Sequence, residues 1–151
     1  MNKDFRNIYQ LARNNAGLTQ EQAASLLNVS TRSLGSYETG VTIPNGDIVY
    51  NMVDIYDANW LGYEHLRLST KVGQRCLPEI NCSDLAQSVL TLQKESTDVE
   101  NIKPHMIKIA SNGRVDEDEI DMWEKVTKEI LEMAGAALSV VYHKEVKEVA
   151  V

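Results

Sequence analysis

The 151-residue chain lacks most of the features that announce a membrane protein, a metalloprotein or an enzyme. No apolar run reaches the roughly 20 residues of a membrane span, and the opening stretch MNKDFRN has no apolar signal segment, so the expected compartment is the cytoplasm. Cysteine is scarce. Cys76 and Cys82 have five residues between them, and His65, His105 and His143 are scattered. A zinc site asks for close Cys or His pairs in two sets, so two reduced, incidental thiols and no metal are expected. SNGRVDEDE has the look of a calcium loop. Setting Gly113 at the invariant glycine, however, puts Lys108 and Ala110 at the first two ligand positions. A turn followed by a capped helix is the better reading. There is no phosphate-cradling Gly-rich loop and no Gly-x-Ser-x-Gly elbow, so neither catalysis nor a cofactor is expected.

Positive charge is also in short supply. The net charge is −7, with five basic against seven acidic residues over 1–70 and ten against fifteen over 71–151. A chain of this balance cannot hold a polyanion by bulk charge.

What is present is helix-forming pattern. A 43% hydrophobic fraction is enough for a core and 25% charged residues suit a water-exposed surface. The most organised stretch is Thr19 to Gly40, TQEQAASLLNVSTRSLGSYETG. Thr19 with Gln22 forms a capping box that opens a short helix with Ala23, Ala24, Leu26 and Leu27 on its apolar face. Asn28 can take the left-handed turn that stops it. Ser30 caps a second short helix in which Leu34 and Tyr37 face inward, and Gly40 ends it. Two helices this short across so tight a turn must cross steeply.

This stretch resembles the Cro and phage-repressor (XRE-like) helix-turn-helix without a gap over its 22 positions. The marks are Thr19-Gln20, Ala23-Ala24, Val29-Ser30, Leu34 and Tyr37-Glu38-x-Gly40. The resemblance extends over Phe5–Ser69. It implies a five-helix, lambda-repressor-like domain whose third helix enters the major groove of double-stranded DNA. It also implies that Arg13, near the end of the first helix, pairs with Glu38 at the end of the third; a solvated arginine is the alternative. On this alignment the contact residues are Gln20, where the family has a phosphate contact, then Thr31, Arg32, Ser33 and Ser36 on the third helix, and Thr42 in the loop after it. Arg32 is the natural base reader, because a guanidinium makes two hydrogen bonds to guanine. Gly35 departs from the pattern, standing where the family carries a larger polar residue on the exposed side, so specificity does not carry over.

The first helix is expected over Asp4–Ala16, with Phe5, Ile8, Leu11 and Ala12 on one face. Beyond the VTIPNG loop, Ile48 to Tyr56 and Trp60 to Leu68 read as a fourth and a fifth helix. Residues 70–82, with a Gly and a Pro and no periodicity, read as a linker between a domain at 1–69 and a helical hairpin at 83–151. Ser83 is expected to cap the first hairpin helix, along which Leu85, Val89, Leu92, Val99, Ile102, Met106 and Ile109 form a stripe. Pro104 either kinks this helix or divides it. Asp116 with Glu119 makes a second capping box. In the last helix Ile120, Trp123, Thr127, Ile130, Ala134, Ala137 and Val141 step by three and four, the seam of a hairpin or coiled coil, and the Ala134–Ala137 patch would admit a neighbouring helix.

The expectation is an all-α, sequence-specific transcriptional regulator acting as a dimer or higher oligomer through its C-terminal helices on a partly palindromic operator. Repression is the expected sign and a prophage link is suggested by resemblance alone. The reading that competes with it is a protein-interaction module of the same fold, such as an antirepressor or antitoxin.

Overall fold

Every regular element among the described residues is a helix. The computed structural model describes residues 8–81 and 84–143, and the chain divides into two compact units, Met1–Leu77 and Pro78–Val151.

The first unit holds α1 (Ile8–Asn15), α2 (Gln20–Leu26), α3 (Thr31–Glu38), α4 (Gly46–Tyr56), α5 (Asn59–Ser69) and α6 (Lys71–Cys76). Local signals set the boundaries. Thr19 Oγ1 accepts from the Gln22 N–H at 3.1 Å while Gln22 Oε1 accepts from the Thr19 N–H at 2.9 Å, which completes the capping box of α2. Asn28 turns left-handed at φ 53°, and Ser30 Oγ accepts from the Ser33 N–H at 3.0 Å to start α3. Asn45 caps α4 in the same way, and Asp57, at φ 51°, ends it. Tyr9, Leu34, Met52 and Leu61, one each from α1, α3, α4 and α5, are fully buried and form the centre of the core.

Three expectations change here. Leu11 and Leu26 were placed on packed faces, yet they are 48% and 58% exposed. The packed face of α1 is rotated to Ile8, Tyr9, Ala12 and Arg13, and Leu27 takes the inward place beside Ala23 and Ala24. Phe5 lies outside the described residues. The stretch expected as linker contains α6, capped by Thr70, whose Oγ1 accepts from the Gly73 N–H at 2.9 Å. Gly73 rests against the last carbonyls of α5; a methyl group there would collide with the oxygens of Leu66 and Arg67. A six-residue helix has too little periodicity to be read from its own sequence.

The second unit is a hairpin of α7 (Leu85–Ala110) and α8 (Ile120–Val141), joined through the turn at Asn112-Gly113 and a short 3-10 segment, Glu117–Glu119. Asp84, not Ser83, provides the observed cap of α7, accepting from the Ala86 N–H at 3.1 Å; Ser83 lies outside the described residues. Pro104 does not divide α7. It sits on the exposed side, where losing one helix hydrogen bond is offset by water. The Asp116–Glu119 capping box forms, with the Asp116 N–H donating to Glu119 Oε2 at 3.2 Å.

The α8 seam differs from the expected one. The buried positions are Val126, Gly135, Ala136 and Ser139, whereas Ile120 and Val141 are 47% and 69% exposed. The small-residue patch receives a loop rather than a helix: the Glu79 carbonyl lies so close to Gly135 that an added Cβ would sit 2.7 Å from its oxygen. The Asn81 N–H donates to Ser139 Oγ at 2.9 Å, and that hydroxyl donates to the Gly135 carbonyl at 2.8 Å.

Candidate nucleic-acid interface

The interface candidate is built on α3. With Leu34 buried and Tyr37 half-buried, the helix turns Thr31 and Arg32 fully outward and Ser33 and Ser36 partly so. Among the described residues, no ion pair or hydrogen bond engages the Arg32 guanidinium, so its five N–H donors remain available. Ser33 Oγ lies 2.7 Å from Ser30 Oγ, which ties it to the cap. The Ser36 hydroxyl donates back to the Arg32 carbonyl at 3.0 Å. While it donates into its own helix the hydroxyl offers lone pairs to a partner, which suits a donor such as the amino group of adenine or cytosine. Thr42 is exposed in the loop after α3; its N–H is spent on the Ser36 carbonyl at 3.2 Å, leaving the side chain for outside contacts.

The acidic residue of α3 is withdrawn from this face. Arg13 Nε donates to Glu38 Oε1 at 2.5 Å and Arg13 Nη2 to Glu38 Oε2 at 3.0 Å, with both residues buried. Arg13 Nη1 also donates to the Leu18 carbonyl at 2.8 Å. The fork-to-fork pair bolts α1 to α3, and the hydrogen bond to Glu38 holds the Arg13 guanidinium more firmly protonated than usual. Beside it, burial and then the negative charge of Glu38 push the Tyr56 phenol up to about 12. α3 therefore presents one cation, Arg32, and no exposed acid. The exposed acids flanking it are Glu21 on α2 and Asp47 on α4.

Gln20, where the resemblance implies a phosphate contact, also makes a contact inside the fold. It is half-buried, and its Nε2 donates to Glu38 Oε2 at 3.0 Å. Its amide also covers Gly35, where an added Cβ would meet Gln20 Nε2 at 3.6 Å. Gly35 is thus half-buried under a side chain of α2 instead of standing on the open face of α3. The resemblance implied the Arg13–Glu38 pair, which the structure contains, but sequence reasoning missed that Gln20 joins it. The available signal was the absence of a side chain at Gly35, which leaves the space the Gln20 amide fills. It also missed Tyr9, whose hydroxyl lies 2.7 Å from His65 Nδ1 in the core.

Residues 10–60, about a third of the chain, match the model of a family described as helix-turn-helix. No curated protein matches the chain, and no solved structure matches it. The match covers α2, α3 and the Arg13–Glu38 pair. No helix among the described residues is long and apolar enough to cross a membrane.

Proposed function

We propose, from the premise that residues 10–60 are a helix-turn-helix of the Cro and repressor type, that the chain is a DNA-binding transcriptional regulator whose α3 reads the major groove. The observation that carries this reading is the composition of the outward face of α3. Arg32 is unencumbered, Thr31 and Ser33 flank it, and Glu38 is neutralised inside the fold by Arg13 and hydrogen-bonded by Gln20. Withdrawing the one acid of α3 keeps a negative charge off the face that would meet a phosphate backbone, which matters locally in a chain of net charge −7. Arg32 pairs with guanine, Thr31 and Ser33 reach base edges or phosphate, Ser36 accepts from a base amino group, and Thr42 contacts the backbone. Gln20 acts by holding Glu38 in place.

Two copies provide the affinity that a single weakly charged domain lacks. They pair through the C-terminal helices, where Ile120, Ile130, Leu131 and Val141 remain exposed on α8. Pairing sets two α3 helices about 34 Å apart, one DNA turn, on a partly palindromic operator. Occupancy there blocks polymerase, which makes the protein a repressor; a prophage or mobile-element role follows from the same resemblance. The antirepressor or antitoxin reading draws on the acidic balance and on Val41 and Ile43, 72% and 51% exposed in the loop after α3.

The test is selection from random duplex DNA with the full chain beside Arg32→Ala. A two-fold symmetric site is expected to enrich, with specificity relaxed at one guanine per half-site in the variant. Enrichment of no site, with weak salt-sensitive binding alone, would reject DNA reading and favour the protein-interaction module.

A further inference from the structure

The second unit carries a cluster that no motif spacing reveals. Glu95 of α7 and Glu129 and Glu132 of α8 bring one carboxylate oxygen each to within 4.8 Å of one another. Oxygens bonded to one ion at about 2.0–2.6 Å can stand at most ~4–5 Å apart, so these three fit a single coordination sphere.

Carboxylates alone would not single out this spot, since exposed acids gather on many helices. Glu95 distinguishes it. The residue is 9% exposed, and its Oε2 is buried with no hydrogen-bond partner, although a buried carboxylate oxygen left unpaired is costly. The charges already present do not reach it. Lys94 Nζ lies 2.9 Å from the other oxygen, Oε1, and 3.0 Å from Asp98 Oδ2, while Lys128 Nζ lies 3.2 Å from Glu132 Oε1. Both lysine side chains are about two-thirds exposed, at 67% and 66%, so they are solvated and replaceable. Glu129 and Glu132 are one turn apart on α8, the spacing that aims two side chains to one side, and Glu95 faces them from α7.

We propose that Glu95, Glu129 and Glu132 bind one hard divalent cation that ties α7 to α8. An all-oxygen set of three carboxylates selects Mg²⁺, Ca²⁺ or Mn²⁺ over zinc or copper, with water filling the remaining positions. A cation there gives the buried Glu95 carboxylate a partner beyond the solvated Lys94 and offsets the repulsion among three carboxylates in a unit with a thin apolar core. The site is independent of what the first unit binds.

The experiment uses the full chain, stripped with chelator and titrated with Mn²⁺, followed by electron paramagnetic resonance and by thermal unfolding. One Mn²⁺ per chain is expected, displaced by Mg²⁺ or Ca²⁺, with a rise in the unfolding temperature of the hairpin. Glu95→Gln should weaken binding at least about tenfold. Glu129→Gln, at a half-buried position that tolerates the change, should do the same with helicity unchanged. Glu124→Gln, which removes an exposed acid of the same helix, should bind as wild type does. Absence of saturable Mn²⁺ uptake at about 1 mM, the weak end of protein calcium sites, would overturn the proposal. So would equal binding by the wild type and the Glu129→Gln chain.

Discussion

The two units of this chain solve the problem of burying apolar surface in different ways. Among the described residues, fourteen buried hydrophobic side chains lie in the first unit, from Ile8 to Leu68, and three in the second, Ile109, Val126 and Ala136. Six short helices joined by tight turns can surround a centre; two long ones can only face each other. The first unit therefore closes on itself and has polar groups to spare for recognition. The second leaves Leu85, Val89, Leu90, Ile107, Ile120, Leu131 and Val141 exposed and holds its hairpin with polar devices, among them the Ser139–Asn81 clamp. A core of three apolar residues is thin for a unit that stands by itself, which is the physical argument for pairing with a second copy.

The two units should differ most in how they respond to the loss of an ion pair. Glu38→Ala leaves the Arg13 guanidinium buried without its carboxylate, and the first unit should lose about 3–5 kcal/mol in denaturant unfolding. DNA binding should fall with it, because α3 is no longer fixed to α1. In the second unit Lys103→Ala removes an ammonium that pairs with Glu100 at 3.2 Å, the two side chains being 48% and 68% exposed. Its unfolding midpoint should stay where it was, as screened surface pairs contribute little. Equal losses from the two variants would erase the distinction.

Apolar substitutions should also act differently in the two units. Leu61→Ala should cost about 2–5 kcal/mol, since Leu61 is fully buried among α1, α4 and α5. The loss should not depend on protein concentration. Ile130→Asp, at a 36% exposed position of α8, should instead shift sedimentation toward monomer and make DNA binding non-cooperative, with the melting of the first unit unchanged. A chain that sediments as a monomer before the substitution would defeat the pairing argument.

The helix glycines predict effects of opposite sign. At Gly135 a methyl group meets the Glu79 carbonyl oxygen at 2.7 Å, so Gly135→Ala must push the 78–81 loop off α8 and should cost about 1–3 kcal/mol. At Gly35 the nearest atom is the Gln20 amide nitrogen at 3.6 Å, an ordinary contact. Gly35→Ala should stabilise the first unit by about 0.5–1 kcal/mol through helix propensity. Thermal melts of the two variants decide both signs.

How far the sequence could be read follows the same division. Caps and stops are written in one or two residues, so Thr19-Gln22, Asn28, Ser30 and Asp116-Glu119 placed their helix ends well. The helix-turn-helix, whose apolar positions are few and spaced by turns, was legible for that reason. Side-chain direction was less so: Leu11 and Tyr9 are both plausible core residues, and only the positions of α4 and α5 select Tyr9. The Gln20–Glu38 bond crosses 18 residues and has no sequence signature. In α8, residues from Ile130 to Val141 are apolar on nearly every side after Glu132, so several three-and-four stripes fit equally well. The stripe through Ile120, Ile130 and Val141 describes the uncovered face of the helix, and the hairpin uses another. Pro104 was undecidable because its effect depends on whether water reaches the Glu100 carbonyl it leaves without a donor.

The smallest expected effect is a pH dependence confined to the first unit. Tyr9 O–H lies 2.7 Å from His65 Nδ1, and burial pushes the imidazole below its ordinary value of 6.5. The same burial raises the Tyr9 phenol well above its usual range, so it stays neutral and serves as the donor. His65 is then the acceptor, neutral, with its proton on Nε2. In the unfolded chain the ring takes up a proton near pH 6.5; in the folded chain it does so only at lower pH. Between those values the unfolded state binds more protons, so stability rises with pH there. The stabilisation is fully present above about pH 6.5 and is lost as pH falls through the folded value. Urea unfolding of the full chain between pH 7.5 and 5.5 should show the first transition weakening on the acid side. His65→Gln keeps an acceptor for Tyr9 without a titrating group, and should flatten that slope. A slope that survives the substitution would place the titrating group elsewhere in the first unit and leave the Tyr9–His65 bond a packing feature with no proton linkage.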